Sequence, residues 1–162
     1  MGVIFIYFEV VLVCMNERKI MYVMRGLPGS GKSQRAKELV GNGIIHSVDD
    51  YHMKDGKYEF DIANLRRFHY LNFIASLESM KKGVTPIVID NTNITAANCR
   101  SYVDAAKTYG YEVHVVEPNT PWAFNLEELV KRNTHEAPRE VIEAMLFTYE
   151  EIHIFKKKLG IQ

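Results

Sequence analysis

The chain has 162 residues, 47% of them hydrophobic, with 20 Lys and Arg balanced by 20 Asp and Glu. That is one domain's length with enough apolar material for a core, and the zero formal charge excludes the basic surplus with which proteins grip long stretches of nucleic acid. Two cysteines, Cys14 and Cys99, form no C-x-x-C motif or disulfide framework, and six histidines show no metal-ligand spacing; a cytoplasmic home is expected.

In chain order, residues 1–18 read as an apolar N-terminal extension: Val3 to Phe8 and Val10 to Val13, broken by Glu9. This run is too short to span a bilayer and lacks the basic n-region and cleavage site of a signal peptide. It is expected to be an extra strand, a membrane- or partner-facing extension, or upstream sequence from a misassigned start, with no membrane span. A single domain is expected over 19–162.

From Lys19, apolar runs of strand length alternate with helical patterns, the signature of a parallel sheet flanked by helices. A first strand over 19–25 precedes Gly26-Leu27-Pro28-Gly29-Ser30-Gly31-Lys32-Ser33, which matches G-x-x-x-x-G-K-[ST] without a mismatch and opens a helix. A chance match in a chain this long is roughly a 1% event. The glycines let backbone N–H groups fold around an anion at a helix N-terminus. Lys32 would reach the β- and γ-phosphates of ATP, and the Ser33 hydroxyl would hold Mg²⁺.

A second strand, Ile44 to Val48, delivers Asp49-Asp50 and is expected one strand over from the phosphate loop. A polar, aromatic loop follows through Phe60, then a helix from about Asp61 to Lys82 with Leu65, Phe68, Phe73, Leu77 and Met80 facing inward. The third strand, Pro86 to Ile89, is apolar throughout and ends in Asp90-Asn91-Thr92-Asn93. A helix over 96–109, a fourth strand over 111–116, a helix over 124–133 and a last helix over 139–159 complete the pattern, the last with Val141, Met145, Tyr149, Ile152 and Phe155 at helical spacing. The expected fold is α/β, with a parallel sheet of four to five strands, helices on both faces and a small helical lid near 131–139.

Ligands of open parallel sheets bind at the carboxyl ends of the strands, which selects the polar residues of interest. Asp49 could take the proton of an acceptor hydroxyl, or Asp49 and Asp50 could cap the turn leaving their strand. Asp90 could complete the Mg²⁺ shell opposite Ser33, whereas Asn91 and Asn93 could contact substrate or bond the loop backbone. Lys131, Arg132 and Arg139 flank a short interhelical loop. An arginine closing over the nucleotide offsets transition-state charge by about 10³–10⁵ in rate in the best cases; the alternative is a solvated basic helix end. His52 stands near Asp49 as a possible substrate contact. No N-K-x-D guanine-reading motif occurs.

Together, Gly26 to Ser33, Val48-Asp49-Asp50-Tyr51, Ile89 to Asn93 and Glu128 to Asn133 resemble the kinase domain of phage polynucleotide 5′-kinase. With Tyr58-Glu59-Phe60, Pro86 to Asn93 and Glu117 through Trp122, they resemble more closely the small kinase-like ATPase domain of ubiquitin-ligase-binding proteins of animals. The resemblance covers roughly 19–155 and implies a P-loop kinase fold, with Lys32 and Ser33 in the ATP·Mg site, Asp49 as general base for a 5′-hydroxyl and Arg132 as a lid arginine on the ATP phosphates. Two positions depart from the phage pattern. His52 stands where an acceptor-gripping arginine is found, and Glu136 where a second lid arginine is found, with Arg139 the candidate replacement. The implied activity is ATP-dependent phosphate transfer to a hydroxyl, the 5′-end of a nucleic acid first. The alternatives are a nucleoside or sugar kinase, or an ATP-binding module that switches a partner and catalyses little.

Overall fold

The structure, a computed structural model, describes residues 18–162, so all but the last residue of the expected extension lies outside it. In chain order it forms β1 (Ile20–Met24), α1 (Lys32–Leu39), β2 (Ile44–His46), β3 (Met53–Lys54), β4 (Lys57–Tyr58), α2 (Leu65–Lys81), β5 (Ile87–Ile89), α3 (Ala96–Thr108), β6 (Glu112–Val116), α4 (Leu126–Arg132), α5 (Arg139–Phe147) and α6 (Ile152–Leu159). The main sheet is four parallel strands in the order β2-β5-β1-β6, and β3 and β4 form a separate hairpin. Among the described residues no helix is long and apolar enough to cross a membrane.

The alternation of side chains along a strand divides the core in two. Met21, Val23, Ile87 and Ile89 face Cys99, Tyr102, Val103, Phe155 and Leu159, covered by α2, α3 and α6. Met24 and Val88, with Tyr22 and Ile45, face Ala36 and Leu39 of α1. The α/β fold with helices on both faces is therefore present. At its centre, Ile87, Val88 and Ile89 are all fully buried, each side chain contributing about 1.5–3 kcal/mol on transfer from water.

Five expectations are corrected in whole or in part. Asp49 is not one strand over from the phosphate loop, because β5 pairs with both β1 and β2 and stands between them. Parallel neighbours need long crossovers, so order along the chain does not set order in the sheet. The second strand stops at His46, and Val48–His52 turn into a short 3₁₀ helix whose N-cap Ser47 accepts from Asp49 N–H. The stretch after it contains a hairpin, turned at Asp55 and Gly56 with φ of 49° and 78°, values that suit Asp-Gly in a type I′ turn.

Of the apolar residues expected on the inner side of α2, Met80 is buried and Phe73 packs against the core, but the other buried positions of the helix are Asn72, Ser76 and Ser79. Its polar groups are paired: Asn72 donates to the Tyr102 hydroxyl at 3.1 Å, Ser76 to the Asn72 carbonyl at 2.8 Å, and Ser79 Oγ lies 2.9 Å from His46 Nε2. Last, the expected helix over 139–159 is two helices. Glu150 occupies the break, its N–H donating to Ile94 O and its carboxylate accepting from Ala96 N–H, while its carbonyl accepts from the Arg25 guanidinium.

Candidate functional site

The phosphate loop joins β1 to α1. Gly29 and Gly31 have φ of 77° and 94°, left-handed values that cost other residues roughly 1–2 kcal/mol. A Cβ at Gly29 would also stand 2.3 Å from the Leu129 carbonyl oxygen. Outside ties fix the loop: Gly26 N–H donates to Thr92 O, Thr120 Oγ donates to Ser30 O at 2.9 Å, and Trp122 Nε1 donates to Gly29 O at 3.2 Å. The first turn of α1 carries no acidic residue, so its unpaired N–H groups keep their attraction for an anion.

Lys32 is buried beneath this loop, with Nζ 3.6 Å from Asp90 Oδ1. That is an ion-pair distance and too long for a hydrogen bond. Asp90 Oδ1 and Ser30 Oγ are both buried without a hydrogen-bond partner, a cost of about 1–3 kcal/mol per group, more where charged. A bound phosphate and its cation would relieve it. Ser33 and Asp90 line one cavity, and a hydroxyl plus a carboxylate is the kind of sparse oxygen set with which proteins hold Mg²⁺ alongside a substrate's phosphates. The donor set fits nucleotide and metal.

This cavity has a volume of about 310 Å³ and continues from Ser33 and Asp90 past Lys37, Ser47 and Asp50 to Asp49, Tyr58 and His135. The turn bearing Asp49 is tied to the end of β5: Ser47 Oγ donates to Asp90 O at 3.1 Å, and Val48 N–H donates to Asn91 Oδ1 at 3.0 Å. Asp49 is half-buried. Its Oδ1 lies 3.4 Å from the Tyr58 hydroxyl, and its Oδ2 lies 3.3 Å from His135 Nδ1. Burial and the charges of Asp49 and Asp90 raise the Asp50 carboxyl above the ordinary carboxylate range.

Three expected substrate contacts have other duties. His52 is 1% exposed; its Nδ1 accepts from Asp61 N–H at 3.0 Å, and its ring packs against Tyr58, Phe60 and Phe68. Asn91 holds the Asp49 turn, and Asn93, at φ 44°, donates through Nδ2 to Met24 O at 2.8 Å. Both asparagines bond the loop backbone, the alternative that Asn residues at strand ends always carry.

The basic residues are placed close by but paired. Arg132, in the last turn of α4, donates to Glu128 at 2.8 Å and stands 4.0 Å over the Trp122 ring, against the phosphate loop. Arg139 makes a two-pronged pair with Glu127 at 2.5 and 2.9 Å. The residues that sequence reasoning missed are Tyr58 and His135, which touch Asp49, and Arg25. Arg25 is fully buried beside the loop, pairing with Glu117 at 2.5 Å between the Tyr149 and Phe155 rings. Composition and spacing carry no signal for any of them.

Residues 21–152 match the AAA domain family. NEDD4-binding protein 2 of Homo sapiens is 40% identical over 134 residues, and the 2′,3′-cyclic-nucleotide 3′-phosphodiesterase of Pongo abelii is 28% identical over 134 residues. These stretches take in 81% and 80% of this chain but only 8% and 31% of those proteins. Among solved structures, a chain of the Pnkp1/Rnl/Hen1 RNA repair complex superposes with a TM-score of 0.64 at 22% identity, covering 87% of this chain and 46% of that one. A second structure of a Pnkp1/Rnl/Hen1 complex gives a TM-score of 0.55. With the phosphate loop opening α1 and a four-stranded parallel sheet behind it, the chain belongs to the AAA domain family.

Proposed function

We propose that this domain binds ATP with Mg²⁺ and moves the γ-phosphate to a hydroxyl held beside Asp49, the 5′-hydroxyl of a nucleic acid being the favoured acceptor. The observation that carries the reading is one cavity reaching from Ser33 and Asp90 to Asp49, so a phosphate-side donor set and a half-buried carboxylate share a chamber. The likeness in fold to a chain of an RNA repair complex supports the choice of acceptor.

In this reading Gly26, Pro28, Gly29, Ser30 and Gly31 supply the loop whose N–H groups cradle the phosphates, and Lys32 neutralises their charge. Ser33 and Asp90 hold the metal. When bound, ATP·Mg supplies the phosphoryl group and the cation that offsets its charge. Asp49 would orient the acceptor hydroxyl and accept its proton as the γ-phosphoryl group passes to that oxygen and its bond to the departing ADP breaks; Asp50, exposed beside it, would add a second polar contact. The loop over 133–138 serves as the lid. Arg132 reaches the phosphates once it leaves Glu128, and an exposed i,i+4 pair holds it by only about 0.3–0.5 kcal/mol. Arg139 is the second candidate.

The test is phosphate transfer from radiolabelled ATP to 5′-hydroxyl oligonucleotides, with a nucleoside and sugar panel in parallel. Lys32→Ala is expected to remove nearly all transfer. Asp49→Asn is expected to slow it by about 10²–10⁴ with nucleotide binding near normal. Labelling of a sugar or nucleoside alone would move the acceptor assignment, and transfer by Asp49→Asn at the parent rate would remove Asp49 from its role.

A further inference from the structure

Nothing in the roles above uses the two rings that close over Asp49. Tyr58 reaches it from the β3–β4 hairpin, and His135 out of the loop between α4 and α5. The rings are nearly parallel, 10° apart in plane with centroids 4.2 Å from one another; the Tyr58 hydroxyl donates to Asp49 Oδ1 at 3.4 Å, and His135 Nδ1 lies 3.3 Å from Asp49 Oδ2, within ion-pair reach. Neither ring is free to wander. Glu59 N–H donates to His52 O at 2.8 Å, and the buried His52 ring backs Tyr58 at 5.5 Å. On the other side, Asn133 folds the lid around its own side chain. Its Oδ1 accepts from His135 N–H at 3.2 Å and its Nδ2 donates to Ala137 O at 2.9 Å, while Glu136 takes the left-handed φ of 53° that completes the turn.

We propose that Tyr58 and His135 are positioning residues of the acceptor site, a stacked clamp that holds one oxygen of Asp49 each and ties lid closure to the aim of that carboxylate. The proposal rests on the reading of Asp49 as the base. Three features support it. Asp49 shares its cavity with Asp50 and Asp90, so like charge pushes it out of place unless donors hold it. A carboxylate oxygen accepts two bonds, so one contact apiece leaves each oxygen a lone pair for an incoming hydroxyl. Both contacts are longer than a tight hydrogen bond, as catalytic contacts commonly are before substrate draws them in. Burial, with the Asp49 charge and hydrogen bond, pushes the Tyr58 hydroxyl up to about 12, so it remains a donor at neutral pH. His135 also supplies from the lid a contact to the acceptor side, where the neighbouring Glu136 cannot donate.

The experiment uses the full chain, ATP and a 5′-hydroxyl oligonucleotide. Tyr58→Phe removes only the hydroxyl; His135→Phe keeps a ring in the stack and removes the N–H; His135→Asn returns a donor near the position of Nδ1. The first two are expected to lower kcat about 10- to 100-fold while leaving nucleotide affinity within about twofold, and His135→Asn to recover most of the loss. In an Asp49→Asn background, Tyr58→Phe and His135→Phe are expected to cost little more, because groups acting through one partner are not additive. A slow Asp49→Asn beside full-speed Tyr58→Phe and His135→Phe overturns the clamp alone. A full-speed Asp49→Asn overturns the base reading beneath it.

Amide hydrogen exchange over 133–137, without any ligand, decides the matter where no oligonucleotide is labelled. Asp49→Ala is expected to speed exchange there severalfold, and unchanged exchange sinks the clamp.

Discussion

The phosphate loop takes its shape from eight consecutive residues, whereas the proposed acceptor wall gathers Asp49, Tyr58 and His135 from three separate segments. On the loop side, geometry is written into the backbone: two glycines with positive φ, carbonyls tied to Thr120 and Trp122, and no room for a Cβ at Gly29. On the wall side, geometry is written into side-chain contacts longer than 3.2 Å around one carboxylate. The difference teaches that the two halves should fail differently. A loop conformation available only to glycine is lost outright by one substitution, while a wall held by several loose contacts should lose function in steps.

The sharpest way to break that comparison is Gly29→Ala. The new methyl demands a left-handed φ, about 1–2 kcal/mol, and meets the Leu129 carbonyl at 2.3 Å, adding an overpacking cost of about 1–3 kcal/mol. The expected outcome is a domain less stable by about 2–5 kcal/mol, with nucleotide affinity down at least about tenfold because the cradle and α4 are pushed apart. Thermal unfolding measures the first. The fluorescence of Trp122, the only tryptophan in the chain and bonded to Gly29 itself, measures the second in a nucleotide titration. A variant that binds nucleotide like the parent would show that the loop tolerates more than its geometry suggests.

A smaller effect is expected one residue ahead of the loop, where Arg25→Met replaces a buried cation with an apolar chain of similar length. The guanidinium joins Glu117, Ile94 O and Glu150 O, so it fastens the start of the loop to the segment between α5 and α6. Removing one partner of a fully buried pair typically costs 3–5 kcal/mol. Glu117 is about a third exposed (32%) and regains water, so a loss of about 2–3 kcal/mol is expected in denaturant unfolding. A stabilised variant would mean that the Tyr149 and Phe155 rings prefer an apolar neighbour and that the cation serves something other than stability.

Much of this was legible in the chain itself, and the pattern of what was not is instructive. The strands announced themselves as apolar runs, because a strand buried on both faces has no polar option, and the phosphate loop announced itself because its chemistry requires contiguous glycines. The place of β5 between β1 and β2 was hidden, since strand order follows from crossovers rather than from any local residue. The polar inner face of α2 was hidden too: Asn72, Ser76 and Ser79 look solvent-facing until Tyr102, the Asn72 carbonyl and His46 appear as partners. Arg25 drew no notice at the end of the first expected strand, although it is wholly buried. His52 drew attention by nearness to Asp49 in sequence, while His135, far along the chain, is the histidine that touches it.

The smallest effect tests the wall from below. His46 ends β2 immediately before the turn that carries Asp49, and its Nε2 is bonded to Ser79 of α2. Burial lowers its pKa from the usual value near 6.5, so the folded state takes up a proton less readily than the unfolded chain. The stability His46 provides is therefore complete above the unfolded value and declines as pH falls below about 6.5, toward the folded one. One proton can steepen that decline by at most about 1.4 kcal/mol per pH unit. His46→Gln keeps a polar group near the position of Nε2 and cannot titrate, so its unfolding free energy between pH 7.5 and 5.5 should fall less steeply than the parent's. If the loop and wall are anchored as differently as their construction implies, acid should also lower amide protection, relative to the intrinsic exchange rate at each pH, in 47–52 before it does so in 26–33, and His46→Gln should bring the two segments closer together. Equal acid sensitivity of both segments in the parent would mean that the β5 contacts, Ser47 to Asp90 and Val48 to Asn91, bind loop and wall into one unit that opens together.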